Sequence, residues 1–181
     1  NPPLTISTTY PNESVFVWWY PTAAGNIISE LGQATPNTGW HDSNIEITAG
    51  GIISFSTWHG SLTNKVVSTA KSLNTWYHLA WVRSGSGANN FSIYINGTRD
   101  GQMTYTGTFQ NTPTTIGGSN NYDPSGNSYF PGYISNLRIL KDTALYTGAS
   151  FTVPTSPLTA IANTALLTCN ADTIVDSSSN N

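Results

Sequence analysis

Charge is the commodity this chain has least of. Lys, Arg, Asp and Glu make up 8% of its 181 residues, while hydrophobic residues make up 38%. The net charge is −3, and the six Lys and Arg are scattered along the chain rather than clustered. Without a basic stripe nothing neutralises a phosphate backbone, so nucleic acid is not an expected partner. Cys169 is the single cysteine, which excludes an intrachain disulfide framework. No apolar run reaches the roughly 18 to 20 residues of a membrane-spanning helix. The opening stretch NPPLTISTTY has neither the basic start nor the apolar core of a signal peptide. The chain therefore reads as soluble, and as processed, a fragment of a longer multi-module polypeptide, or released without a signal; its low charge and missing cysteine framework suit a surface protein.

Acidic pairs are also missing. Polysaccharide cleavage needs two carboxyl groups flanking one bond, but Glu13, Glu30, Glu46 and the six Asp never occupy alternate positions of one strand-like stretch. There is no Gly-x-Ser-x-Gly elbow, no Gly-x-Gly-x-x-Gly phosphate loop, and no Cys or His cluster with metal-ligand spacing. The expectation is a protein that is not an enzyme.

What the sequence does have is period-two alternation, in SVFVWWY, NIEIT, GIISFSTW, KVVSTA, WYHLAWVR, FSIYING, PTTIGG, GYISNLRIL and TALLTC. Turn signals separate these stretches, and Asn96-Gly97 is the residue pair that a tight type I′ turn prefers. Many short strands between polar turns predict an all-β, antiparallel sandwich or barrel. A single helical turn is expected in KDTALYTG, capped by Asp142 and ended by Gly148. Residues 1–181 read as a single domain, with 170–181 a polar tail or linker.

In SVFVWWY, alternation puts Val15, Val17 and Trp19 on one face and Phe16, Trp18 and Tyr20 on the other. The aliphatic set suits an inter-sheet core. The second set forms an aromatic strip, free to stack on a sugar or to pack beneath a neighbouring subunit, with the chain's own loops as the competing cover. Trp76 is expected in the core, and His78 as a packing residue. Trp81 shares a face with Tyr77, Leu79 and Arg83. Two Trp-His pairs near loop or strand ends, Trp40-His41 and Trp58-His59, are the expected rim site, since a rigid sandwich carries function on its loops. The loop SNNYDPSGN sets oxygen ligands at alternate positions, Asn121, Asp123 and Ser125, followed by Asn127, a pattern that suits calcium and equally suits an ordinary turn.

The stretch NTWYHLAWVRSGSGANNFSIYINGT resembles the central hairpin of the laminin-G-like, concanavalin A-like jelly-roll family. The later GYISNLRILKDTALYTGASFTVPTSPLTAIANTALLTC resembles the version found in bacteriophage tail-fibre and other virion structural proteins. The resemblance implies a two-sheet antiparallel jelly-roll sandwich of the concanavalin A-like lectin/glucanase type, whose concave side or rim binds carbohydrate in many members. It also implies calcium at the rim as the cofactor to test for. The function expected on this basis is a non-enzymatic virion surface or fibre domain that binds a host-surface glycan or receptor. Two alternatives stand beside it: a decoration or assembly module binding other virion subunits or copies of itself, and a carbohydrate-binding module of a secreted bacterial enzyme or adhesin. Either way the expected location is the virion surface or the extracellular space.

Overall fold

The alternation in SVFVWWY becomes strand β1 (Asn12–Pro21), paired antiparallel with β10 (Gly132–Lys141) on one edge and β6 (Tyr77–Ser84) on the other. The computed structural model describes residues 12–29, 45–56, 65–105, 115–118 and 129–178. Within them β2 (Gly25–Ser29), β3 (Ile45–Ile47), β4 (Ile53–Ser56), β5 (Lys65–Val67), β7 (Phe91–Ile95), β8 (Thr98–Met103), β9 (Thr115–Ile116) and β11 (Thr164–Thr168) complete the set. One sheet has six strands in the order β11-β10-β1-β6-β7-β8, the other five in the order β5-β4-β3-β2-β9, and every described pairing is antiparallel. This is the two-sheet jelly-roll sandwich that the sequence predicts.

The two sheets face each other across one apolar core. Val15, Val17, Trp19, Leu79, Trp81 and Leu137 enter it from the six-stranded sheet, and Ile27, Ile45, Ile53 and Phe55 from the five-stranded sheet. Trp19 is 0% exposed and lies between the rings of Tyr77, 5.6 Å away, and Phe130, 6.2 Å away. Trp81 packs on Phe55 at 4.1 Å and on Phe91 at 4.8 Å. The β7–β8 hairpin turns on Asn96 (φ 50) and Gly97 (φ 80), the two positive angles that a type I′ turn requires.

Phe16, Trp18 and Tyr20 accordingly face outward from the six-stranded sheet, but the strip is not wholly free. Residues 142–158 cross this face as a strap. Ser14 Oγ donates to Thr143 O (2.8 Å) and accepts from Leu145 N (3.0 Å), Tyr94 Oη donates to Gly148 O (2.8 Å), and Phe151 N donates to Gly97 O (2.8 Å). A second apolar cluster forms beneath it from Phe16, Ala80, Val82, Tyr94, Leu140, Leu158 and Leu167. Phe16 is 1% exposed, edge-on to Tyr146 and under the Arg138 guanidinium, so it is a packing residue and not a ligand platform. The expected helical turn in KDTALYTG is absent: Asp142 takes a left-handed φ of 55, and the Leu145 N–H is spent on Ser14 across the sheet.

A bulge sets the face of β10. Phe16 opposes Arg138 and Trp18 opposes Ser135, so Val17 is matched by two residues, Asn136 and Leu137, with Asn136 at φ 53. The inserted residue reverses the alternation. Leu137 and Ile139 enter the inter-sheet core and Leu140 the outer cluster, yet Tyr133, two residues before Ser135, stays outside at 65% exposure. A β10 without the bulge would turn Tyr133 and Ser135 into the core. Close approach of β1 at the same end requires Gly132, where a Cβ would stand 2.1 Å from the Tyr20 carbonyl oxygen.

Two stability predictions follow from these contacts. Trp19→Ala is expected to cost about 3 to 5 kcal/mol in urea unfolding, because the cavity between the sheets cannot close. The second concerns His78, which is 1% exposed beneath the outer cover, edge-on to Trp18 at 5.3 Å and to Phe151 at 5.7 Å. Burial, reinforced by the nearby Arg138 charge, lowers its pKa to about 4. The unfolded chain takes up this proton near the ordinary histidine value, so stability is full above that value and falls as the pH drops through it towards about 4. Unfolding at about pH 5 is expected to show roughly 2 kcal/mol less stability than at about pH 7.5 from this residue. His78→Leu should flatten that limb of the pH profile, and an unchanged profile would refute the assignment.

Candidate functional site

Where the strap stops covering the outer face, a cleft of about 700 Å³ opens, lined by Trp18, Trp76, Ser135, Asn136 and residues 153–157 of the strap. Each wall has a local cause. Trp18 comes from the centre of β1, where its neighbours across the sheet are His78 and Ser135. Trp76 immediately precedes β6 and carries on the outward register of His78, Ala80 and Val82. It is held at the sheet end by the Asn74 N–H, which donates to Pro21 O (2.7 Å), with Asn74 at φ 58. The strap wall, Val153-Pro-Thr-Ser-Pro157, contains two prolines that fix its backbone. It is clamped at both ends, by Phe151 N on Gly97 O and by Leu158 N on Asn136 Oδ1 (2.8 Å each).

Asn136 links these parts. Its Nδ2 donates to Ser135 Oγ (3.0 Å), its backbone N–H donates to Cys169 O (2.7 Å), and Ser135 Oγ donates to the same carbonyl (3.3 Å). One N–H of the Asn136 amide remains available. The indole N–H groups of Trp18 and Trp76 and the hydroxyls of Thr155 and Ser156 bond to no described residue. The cleft thus offers two aromatic faces, an apolar Val-Pro flank and a small set of neutral donors and acceptors, the combination found in sites for small organic ligands. Beyond its lip the aromatic surface continues: Tyr20 lies 5.6 Å from Trp76 and 5.9 Å from Tyr133.

The sequence-predicted residues are distributed unevenly over this site. Trp18 lines the cleft, Tyr20 borders it, and Phe16 is sealed under the strap. Trp40, His41, Trp58 and His59 lie outside the described residues, as do Asn121, Asp123, Ser125 and Asn127 of the calcium-like loop. Among the described residues no three of His, Cys, Asp and Glu come together to hold a metal. Trp76 is the reversal. Expected in the core, it is 45% exposed. Strand parity explains this: Leu79 and Trp81 point into the core, so the even-numbered positions 76 and 78 must point outward, and the sequence carried that signal in the grouping of Trp81 with Tyr77, Leu79 and Arg83. His78, expected as a packing residue, and Tyr94 on the adjacent strand are both buried beneath the strap at 1% exposure and serve packing.

Residues 3–146 match a laminin G-like family model described as the concanavalin A-like lectin/glucanases superfamily. No curated protein matches the sequence significantly. Among solved structures, the CBM40 of Ruminococcus gnavus IT-sialidase bound to α2,6 sialyllactose superposes with a TM-score of 0.56 at 13% identity, over 76% of this chain and 79% of that one. A putative carbohydrate binding protein from Bacteroides ovatus gives a TM-score of 0.55 at 16% identity, over 87% of this chain and 45% of that one. The heptameric SAP-like pentraxin of Limulus polyphemus gives 0.53 at 18% identity, over 76% and 66%. The chain thus spans under two thirds of the pentraxin and under half of the Bacteroides protein, and at these identities the likeness is one of fold. The chain belongs to the concanavalin A-like lectin/glucanases superfamily.

Proposed function

We propose that this chain is a non-catalytic carbohydrate-binding domain, and that the Trp18–Trp76 cleft is where the sugar stacks. The observation that carries the reading is Trp76. A tryptophan 45% exposed, lining an open cleft together with a second tryptophan from the same sheet face, is a costly use of a side chain unless a ligand covers it. Pyranose rings have apolar faces rimmed by hydroxyls, which fit aromatic walls flanked by neutral donors. Fold relatives named as carbohydrate binding support the same reading.

The described carboxylates support a role without catalysis. Glu46 accepts from Ser54 Oγ, Asp100 is held by Lys71 and Thr69, and Asp176 accepts the N–H groups of Leu167 and Ser178. None of the described carboxylates lines the cleft, which supports a site without an acid and base flanking a bond. The virion-like stretches in the sequence favour a virion surface or fibre, with a host-surface glycan as receptor. Calcium at the loop of residues 119–127 and the Trp-His pairs Trp40-His41 and Trp58-His59 remain part of this proposal.

A specific observation favours a second reading, assembly. Tyr129 and Tyr133 are 78% and 65% exposed, outside the cleft, as a subunit contact would need. Light scattering distinguishes the two: a monomer at binding concentrations supports the glycan reading, and a closed oligomer supports assembly.

Titration of the chain against a panel of host-surface oligosaccharides is expected to show saturable binding. Trp76→Ala should weaken it about tenfold or more, equivalent to about 1.4 kcal/mol, with stability changed by less than about 1 kcal/mol because the ring is half exposed. Unchanged affinity in this variant would remove the cleft from the binding site.

A further inference from the structure

We infer that the cleft selects neutral oligosaccharides over acidic ones, an inference that rests on its being the sugar site. Sialic acids, uronates and sulfated sugars carry a full negative charge. Proteins hold such groups with Arg or Lys, above all with the bidentate Arg fork, or with a helix N-terminus. The cleft has none of these. Among the described residues its lining contains no charged side chain, and they contain no helix.

The six cations of the whole chain can all be placed, because every Lys and Arg falls within the described residues and the segments outside them contain neither. Lys65 is exposed on β5, in the other sheet. Lys71 is committed to Asp100 at 2.9 Å. Arg83 is 7% exposed, 5.2 Å over the Tyr105 ring. Arg138 is 5% exposed, its Nη1 donating to Thr159 O (3.1 Å) and its guanidinium capping Phe16 at 5.1 Å. Lys141 pairs in register with Glu13, about 17 Å along β1 from Trp18. Arg99 stands on the edge strand β8, beside the strap residue Ala149 whose carbonyl accepts its N–H, and does not line the cleft.

An anionic sugar entering this cleft would lose hydration of its carboxylate or sulfate against Val153, Pro154 and two indoles, with no opposite charge to replace it. A neutral sugar loses nothing comparable. Its apolar face meets the indoles, while its hydroxyls meet the free Asn136 amide N–H, the Thr155 and Ser156 hydroxyls and the two indole N–H groups. The cleft volume of about 700 Å³ suits a short oligosaccharide rather than a single ring. This sets the chain apart from the sialyllactose-bound CBM40 whose fold it shares.

The experiment compares matched pairs by calorimetry near neutral pH: lactose with its two sialyllactoses, and neutral gluco-, manno- and galacto-oligosaccharides with the corresponding oligouronates. Calcium is present throughout, so that a metal-bridged anion would register as binding. The expected result is that a neutral oligosaccharide binds, its affinity changes less than about twofold from about 50 to about 500 mM salt, its acidic counterpart binds about tenfold or more weakly, and Trp76→Ala abolishes the preference. Preferential binding of an acidic sugar that weakens with salt and is lost in Trp76→Ala would overturn the selectivity while leaving the cleft a sugar site. Binding of neither class, with the fold intact by circular dichroism, would overturn the sugar-site reading and the selectivity with it. Neutral-sugar binding that Trp76→Ala leaves intact would show that the selective site lies elsewhere and overturn the inference for this cleft.

Discussion

Strand β1 is hydrogen-bonded along both edges and has protein against both faces, and the rest of the molecule is arranged by that enclosure. Its inner face must complete the inter-sheet core, which is why Val15, Val17 and Trp19 are there. Its outer face would be a plain solvent-exposed sheet in most antiparallel sandwiches. Here a non-repetitive strap crosses it, burying Phe16 and leaving Trp18 at the margin. A strand so enclosed has to be apolar on both faces, so the run VFVWWY interleaves two interiors. The cleft lies where the second interior ends.

One residue, Asn136, ties that second interior to the first. By taking a left-handed conformation it absorbs the extra position in β10, so that Leu137 faces the core while Ser135 keeps the outward register of Tyr133. The same side chain receives the Leu158 N–H and so fixes the far end of the Pro-rich wall. Asn tolerates positive φ better than most residues and carries both a donor and an acceptor, and both properties are used at once. The geometry of the cleft is therefore set by the sheet itself, not by a loop free to wander.

The sequence made much of this legible. Alternation separated Trp18 from Trp19 correctly, and Asn96-Gly97 announced its turn. What it hid has physical causes. Strand β2 escaped notice because its register slips between Asn26 and Ile28, so Ile27 and Ile28 are both buried and period two fails. Trp76 faces outward because it shares parity with His78, at the end of a hairpin whose odd-numbered positions fill the core. The strap has no periodicity to detect. Its course is dictated by a few hydrogen bonds with Ser14, Tyr94, Gly97 and Asn136, partners that are distant in sequence, and the helical pattern of KDTALYTG gives way to them. The rim pairs Trp40-His41 and Trp58-His59 lie outside the described residues, so their part in the site rests on the sequence alone.

The family match ends at residue 146, whereas the wall that closes the cleft is made of residues 153–157. During synthesis β1 and Trp76 emerge early, β10 later, and the wall later still. Until β10 arrives, β1 has an unpaired edge, and until the strap is laid down Phe16 and its outer neighbours are bare. The cleft is thus completed late, after all described strands except β11 have been made.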